Sequence, residues 1–329
     1  MKKNIISLVK LPDLLISKVY LKLFQEKDSL STFLFHGLFR NKEESSLNLV
    51  DPQPWITVEQ FCQFVTYYLD HGYTFVSPDD VVHGLKEDNK YIMITFDDGY
   101  FNNRYALPIL QEYDIPAVFF ISTNHVIYNR CFWWDVIYRE RKKKGKSTKE
   151  IVNEQYLLKT KTHEEIEQHI LDSFGEVALQ PRGDIDRPFT ISELRDFSKE
   201  KYVFLGNHTS NHAILTNYSP NGIKSQILDA QNVIHDITGI TPTAISYPNG
   251  NYSDEVIKIS KDIGMKLGLT VDYRKNNLPI DCKVNNCMRL GRFDLSGSNN
   301  IIKQCELFRS DILLCAWVWN FLSKRYTSY

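Results

Sequence analysis

The chain is poor in cysteine, has no long apolar run, and carries no excess of either charge. Six cysteines in 329 residues are too few for a disulfide scaffold. Cys62, Cys131, Cys305 and Cys315 stand among apolar neighbours. Cys282 and Cys287 enclose four residues, but no second pair of zinc-ribbon spacing follows. All six are expected to be reduced thiols in a reducing compartment. Lys and Arg number 39 against 40 Asp and Glu, a net charge of -1. No global basic field draws in nucleic acid, so none is expected as a partner.

The N-terminal stretch MKKNIISLVKLPDLLISKVYLKLF opens like a secretory signal. Lys10, Pro12 and Asp13 interrupt its apolar run, and no small-residue cleavage site follows, so an amphipathic helix over about 14–24 is the better reading. Residues 312–322 are apolar except for Asn320, but eleven residues cannot span a bilayer as a helix. A C-terminal helix packed on the main domain is expected there. The alternative is an interfacial foot, with Trp317 and Trp319 at headgroup level and Lys324 and Arg325 flanking. The resulting expectation is a cytoplasmic protein, peripheral to the inner membrane if the terminal helices touch it.

Apolar residues make up 43% and charged residues 24%, the balance of a globular chain with a large core. The length suits about two domains, or one α/β barrel of about 250 residues with additions. From residue 31, short β-rich runs alternate with helical patterns. The strand candidates are 31–36, 73–76, 91–96, 117–122, 202–205, 244–247, 266–271 and 288–293. Thr57 and Gln60 form a capping-box pattern ahead of the helical face Phe61, Phe64, Val65, Tyr68 and Leu69. Further helices are expected over 102–113, 222–238 and 253–263. Such alternation argues for parallel βαβ units and a closed or nearly closed barrel. The expected organisation is an N-terminal helical segment over 1–30, a barrel over 31–295 and a C-terminal helix over 296–329. Residues 130–200 break the rhythm, are rich in charge and carry only helical patterns, so they read as an insertion. Its basic run, Arg139 to Lys144, is expected to be a solvated helix face.

In α/β folds the loops after the strands build the site. After 91–96 stand the adjacent carboxylates Asp97 and Asp98, then Gly99. Such neighbours repel unless a cation or an arginine compensates. After 202–205 come His208 and His212, which on a helical turn would share one face and bind one ion. Together with a carboxylate of the acidic pair they suggest a two-His, one-carboxylate metal site with open positions. After 244–247 comes Pro248-Asn249-Gly250, a rigid loop whose Asn249 N–H is placed to meet an oxyanion.

The segments Ile94-Thr95-Phe96-Asp97-Asp98-Gly99, His208-Thr209-Ser210-Asn211-His212 and Ser246-Tyr247-Pro248-Asn249-Gly250 resemble the first three motifs of the polysaccharide deacetylase family (NodB homology, carbohydrate esterase 4). The resemblance covers roughly 30–295. It implies a distorted (β/α)7-type barrel and metal-dependent removal of acetyl groups from N-acetylated sugars. It makes Asp97 the general base, with Asp98, His208 and His212 the ligands of a divalent metal, usually Zn2+, with Co2+, Ni2+ or Mn2+ as alternatives.

Two departures stand out. Where many relatives have an arginine ahead of the third motif to orient the base, Ser246-Tyr247 stands here. Arg292 or Arg289 could supply that charge, and Arg292 is the expected catalytic-site arginine. The family's late histidine, which protonates the leaving amine, has no counterpart, because no histidine follows His235. His36 and His125 are positional candidates for that role, and Asp272 resembles the fourth-motif acid only weakly. Candidate substrate contacts are Pro248, Gly250 and Trp134, the last a sugar-stacking ring at the start of the insertion. The expected substrate is an acetylated amino sugar of a bacterial surface glycan, or its lipid-linked or nucleotide-linked precursor. A silent glycan-binding scaffold and an O-acetyl esterase are the alternatives.

Overall fold

The computed structural model describes residues 2–52, 55–280 and 286–312. Seven parallel strands organise it: β1 (Ser29–Phe35), β2 (Lys90–Phe96), β3 (Ala117–Ile121), β4 (Val203–Asn207), β5 (Ala244–Ser246), β6 (Leu267–Leu269) and β7 (Phe293–Asp294). The first six lie side by side in chain order, and β7 pairs with the other edge of β1, Phe33 opposite Phe293, beyond the antiparallel pairing of Ser29 and Leu30 with Asn277 and Asn276. Leu290 bridges to Leu269 of β6. One short stretch therefore touches both ends of the sheet and curls it nearly shut, giving the expected distorted barrel.

Strands buried on both faces need near-continuous apolar sequence, and β2 (KYIMITF) and β3 (AVFFI) have it. Their side chains divide between two apolar layers. Ile94, Phe96 and Phe119 pack with Phe61, Phe64 and Val65. Met93, Val118 and Phe120 pack with Ile223, Ile227 and Val256. The surrounding helices are α1 (Lys2–Leu23), α2 (Val58–Asp70), α3 (Pro78–His83), α4 (Leu107–Glu112) and α5 (Thr123–Tyr128). Between β3 and β4 the chain departs into α6 (Trp133–Lys143), α7 (Thr148–Leu158), α8 (His163–Phe174) and α9 (Ile191–Phe197). Then follow α10 (Pro220–Thr238), α11 (Asp254–Asp262) and α12 (Ile301–Arg309). The Thr57–Gln60 capping box forms as the spacing predicts. Helices α6 to α8 share an apolar cluster of their own around Trp133, Val136, Ile137, Ile151 and Ile166, which explains the break in rhythm over 130–200.

Three expectations change. Helix α1 begins well before residue 14 and runs through Pro12. The strand candidate 288–293 is mostly not a strand, because Asn276 brackets Gly291 from both sides. Its amide donates to the Gly291 carbonyl (3.0 Å) and its carbonyl accepts from the Gly291 N–H (2.8 Å), replacing ladder bonds. The helix expected over 102–113 starts as a 3-10 segment, Phe101–Ala106, before α4. Cys62, Cys131, Cys287 and Cys305 form no disulfide among the described residues. Cys282, Cys315 and the apolar segment with Trp317 and Trp319 lie outside the described residues. No helix among the described residues is long and apolar enough to cross a membrane.

Candidate active site

Strand β2 ends in two carboxylates that the backbone sends to different partners. The Asp97 N–H donates to the Phe35 carbonyl (2.9 Å), so Asp97 still continues the strand. Asp98 and Gly99 then take left-handed backbone, φ 75° and 84°, which a short polar side chain and a glycine tolerate. Asp97 is buried and held by Arg292 in a two-pronged pair, Nη1 to Oδ1 and Nη2 to Oδ2, both 2.8 Å. Ser246 Oγ donates to Asp97 Oδ2 (2.9 Å) and accepts from Arg292 Nη2 (2.9 Å). The guanidinium is fixed further by the Thr270 carbonyl (2.9 Å) and Thr95 Oγ1 (3.1 Å). Burial alone would raise the Asp97 carboxyl, but Arg292, and then His208, hold it down at about 2.

Asp98 has no such partner. Both of its oxygens are buried without a hydrogen bond among the described residues. Its Oδ1 instead faces His208 Nε2 at 3.3 Å and His212 Nε2 at 3.4 Å. Two ligands bound to one tetrahedral cation at about 2.1 Å are separated by about 3.4 Å, so the orphaned carboxylate and the two imidazoles fit a divalent ion. Among the described residues no other group of three His, Cys, Asp or Glu side chains converges in this way; these ligand atoms all lie within 4.8 Å of one another. His208 Nδ1 donates to the Ser246 carbonyl (2.8 Å), which leaves the Nε2 lone pair available to a cation. Burial opposes a charge on His208, but Asp97 and Asp98 hold its pKa above the ordinary imidazole value. His212 is pushed well below that value, first by burial and then by the neighbouring His208 and the Lys159 ammonium.

The two histidines do not sit on a helical turn, contrary to the i, i+4 reading. Asn207 Oδ1 accepts from the Thr209 N–H and Thr209 Oγ1 from the Ala213 N–H, both at 2.8 Å. Thr209 and His212 have φ of 64° and 51°. Side chains thus cap a loop that brings the imidazoles together, with ring centroids 4.8 Å apart.

Asn249 lies exposed on its turn with φ 58°, and Lys159, just past α7, donates to its Oδ1 (2.7 Å). Pro248 is buried. Gly250 (φ 74°) has no room for a Cβ, which would come within 2.2 Å of Val271. Of the two arginines, Arg292 enters the site, whereas Arg289 pairs with Asp254 at the surface. Trp134 is only 6% exposed and packs on His212 at 4.5 Å between centroids. It covers a metal-ligand candidate, so the expected open platform for a sugar is not there. His125 is buried, donates to the Arg130 carbonyl (3.0 Å) and is pushed down to about 3, first by desolvation. Asp272 accepts from the Tyr252 hydroxyl (3.1 Å). His36 is partly buried just past β1, and its backbone carbonyl accepts from the Asn103 side-chain amide.

The family model described as polysaccharide deacetylase matches residues 84–268, more than half of the chain. The chain belongs to the polysaccharide deacetylase family. YxkH of Bacillus subtilis (strain 168), a curated protein named after polysaccharide deacetylases, is 22% identical over 219 residues, which are 65% of this chain and 58% of that protein. The chain thus spans little more than half the length of that relative. Among solved structures, the Streptococcus pyogenes deacetylase PplD, in complex with acetate, superposes with TM-score 0.58 at 17% identity, covering 86% of this chain and 99% of its own. A polysaccharide deacetylase from Bacillus cereus gives 0.57 at 15% identity, covering 86% and 69%. At these identities the two structures share the fold.

Within this polysaccharide deacetylase fold, sequence reasoning missed four polar groups. Ser246 and Thr95 complete the cradle of Asp97 and Arg292. Both lie in quoted motifs, but nothing in the sequence pairs them with residue 292. Tyr100, directly after Gly99, and Lys159, in the insertion, carried no signal beyond the position of Tyr100 beside the acidic pair.

Proposed function

We propose that this polysaccharide deacetylase family member is a metal-dependent hydrolase that removes acetyl groups from N-acetylated amino sugars of a bacterial surface glycan or its precursor. The observation that carries this reading is the division of labour between adjacent carboxylates. Asp97 is ionised and locked to Arg292, while Asp98 is buried, unpartnered and aimed at two imidazole nitrogens. Asp98, His208 and His212 would hold the cation, Zn2+ by the N/O donor set, with Co2+, Ni2+ and Mn2+ as substitutes. A bound divalent cation supplies Lewis acidity, polarising a carbonyl and lowering the pKa of water. Asp97 takes the proton of the attacking water. A carboxylate at about 2 is a weak base, so it suits an acidified water and not a free one. The Asn249 N–H donates to the developing oxyanion, with Pro248 and Gly250 holding its turn. His36 is the proton donor to the leaving amine, because His125 is buried and tied to a carbonyl.

Acetate release from N-acetylglucosamine oligomers by the purified chain tests this. Release is expected with metal, loss with chelator, and a fall of about 10²–10⁴-fold in Asp97→Asn. Chelator-insensitive release, or full activity in that variant, would sink the proposal. The lack of any histidine after His235 favours a second reading, hydrolysis of an O-acetyl ester, whose leaving group needs less help from an acid. Release from an O-acetylated sugar that survives His36→Ala, with none from the amide, would select it. Sugar binding with metal uptake and no acetate release would select a silent scaffold. We place this chemistry in the cytoplasm, peripheral to the membrane through α1, whose face with Leu15, Val19 and Leu23 is exposed beside Lys18 and Lys22.

A further inference from the structure

The two histidines that face Asp98 are supported differently. His208 has its Nδ1 fixed by a carbonyl. His212 Nδ1 is buried with no hydrogen-bond partner among the described residues, so nothing of the usual kind orients this ring. What it has is the indole of Trp134 against it. That indole is pinned in turn. Trp134 Nε1 donates to Tyr100 Oη (3.1 Å), and the Tyr100 hydroxyl donates to Asp135 Oδ2 (2.6 Å). Asp135 Oδ1 accepts the Asp51 N–H (2.7 Å). Trp134, Tyr100 and Asp135 are all buried.

We propose that Trp134 and Tyr100, anchored on Asp135, are positioning residues that hold His212 in its metal-binding orientation and couple it to the Asp98 loop. Tyr100 directly follows Asp98 and Gly99, so one hydroxyl joins the loop that bears the carboxylate to the indole that covers the imidazole. The insertion, through α6, thereby completes the metal site from outside the barrel. The inference rests on the proposed metal site but not on the identity of the substrate.

The test is metal affinity, read by competition with a chromophoric chelator for Zn2+ and by the visible absorption of the Co2+-loaded protein. Loss of such a supporting shell costs about 10–100-fold in metal affinity. That loss is expected for Trp134→Ala, together with a changed Co2+ spectrum. Tyr100→Phe removes one oxygen, keeps the ring, and is expected to show a smaller loss in the same direction. Trp134→Phe is expected to recover part of the affinity, and Asp98→Asn sets the level of a lost ligand. Unchanged affinity and spectrum in both Trp134→Ala and Tyr100→Phe would overturn the proposal, and Tyr100→Phe decides it if Trp134→Ala does not fold. A wild-type chain that takes up no metal overturns the metal reading and this inference together. Metal uptake that follows the expected order without acetate release sinks the deacetylase reading alone.

Discussion

At the residue scale the deciding contact is Arg292 on Asp97. A buried pair like this one is weak evidence for net stability, but breaking it is costly, because the remaining charge stays buried. Arg292→Ala is expected to destabilise the fold by about 3–5 kcal/mol, read as a shift of the urea midpoint. Asp97→Asn is expected to destabilise as well, since it leaves the buried Arg292 guanidinium without its counter-charge. The pair also sets an acid limit. The Asp97 carboxyl is depressed to about 2, whereas in the unfolded chain it titrates near 4. Its contribution is therefore present above about pH 4 and is lost as pH falls toward 2, a contribution on the order of 2 kcal/mol. Acid unfolding followed by circular dichroism should show that loss in wild type and not in Asp97→Asn. The motif residues were legible in sequence because each sits at the end of its own strand. The pairing of 97 with 292 was not, because no local rule links positions 195 residues apart. Arg289, three residues earlier, carries the same charge and ends at the surface with Asp254.

At the element scale the strands were legible and the loops after them were not. Hydrophobic runs mark β2 and β3 whatever their neighbours. The left-handed residues at 98, 209, 212 and 249 follow from side-chain caps and close packing, which periodicity does not encode. The loop with His208 and His212 is delivered by β4, and β4 depends on a glycine for its approach to β3. A Cβ on Gly206 would lie 2.3 Å from the Phe120 ring. Phe120 is fully buried, so the ring cannot simply swing aside. Gly206→Ala is expected to cost about 1–3 kcal/mol through overpacking and, by displacing the strand end next to His208, to weaken metal uptake. Chemical denaturation combined with the chelator competition assay separates the two effects. A variant with wild-type midpoint and wild-type metal affinity would show that β4 and β3 are not held this tightly.

At the scale of the whole molecule, barrel closure and the terminal helices are joined at one place. Asp311, just past α12, accepts from the Tyr20 hydroxyl (2.8 Å) and the Lys27 N–H (2.9 Å) and pairs with Lys275 (2.7 Å). Asp13 and Ser17 are buried, so one side of α1 is committed to the protein. The opposite side is not. Leu15, Val19 and Leu23 recur every four residues and are 64%, 56% and 69% exposed, followed by Phe24 at 61%. Lys18 and Lys22 stand beside them. With a net charge of -1 the molecule as a whole is not drawn to an anionic surface, so any attraction must be local. An apolar stripe edged by lysines meets that need, since interfacial binding grows with buried apolar area and with attraction to anionic lipid. The full chain is therefore expected to co-sediment with phosphatidylglycerol-containing vesicles, less with neutral phosphatidylcholine vesicles, and less again at high salt. The triple change Leu15→Ser, Val19→Ser, Leu23→Ser is expected to abolish co-sedimentation with little change in thermal midpoint, because exposed positions seldom contribute more than about 0.5 kcal/mol. Equal sedimentation of wild type and triple variant would remove α1 as the contact. A doubled mass in light scattering that the triple variant loses would assign the stripe to a second copy of the chain.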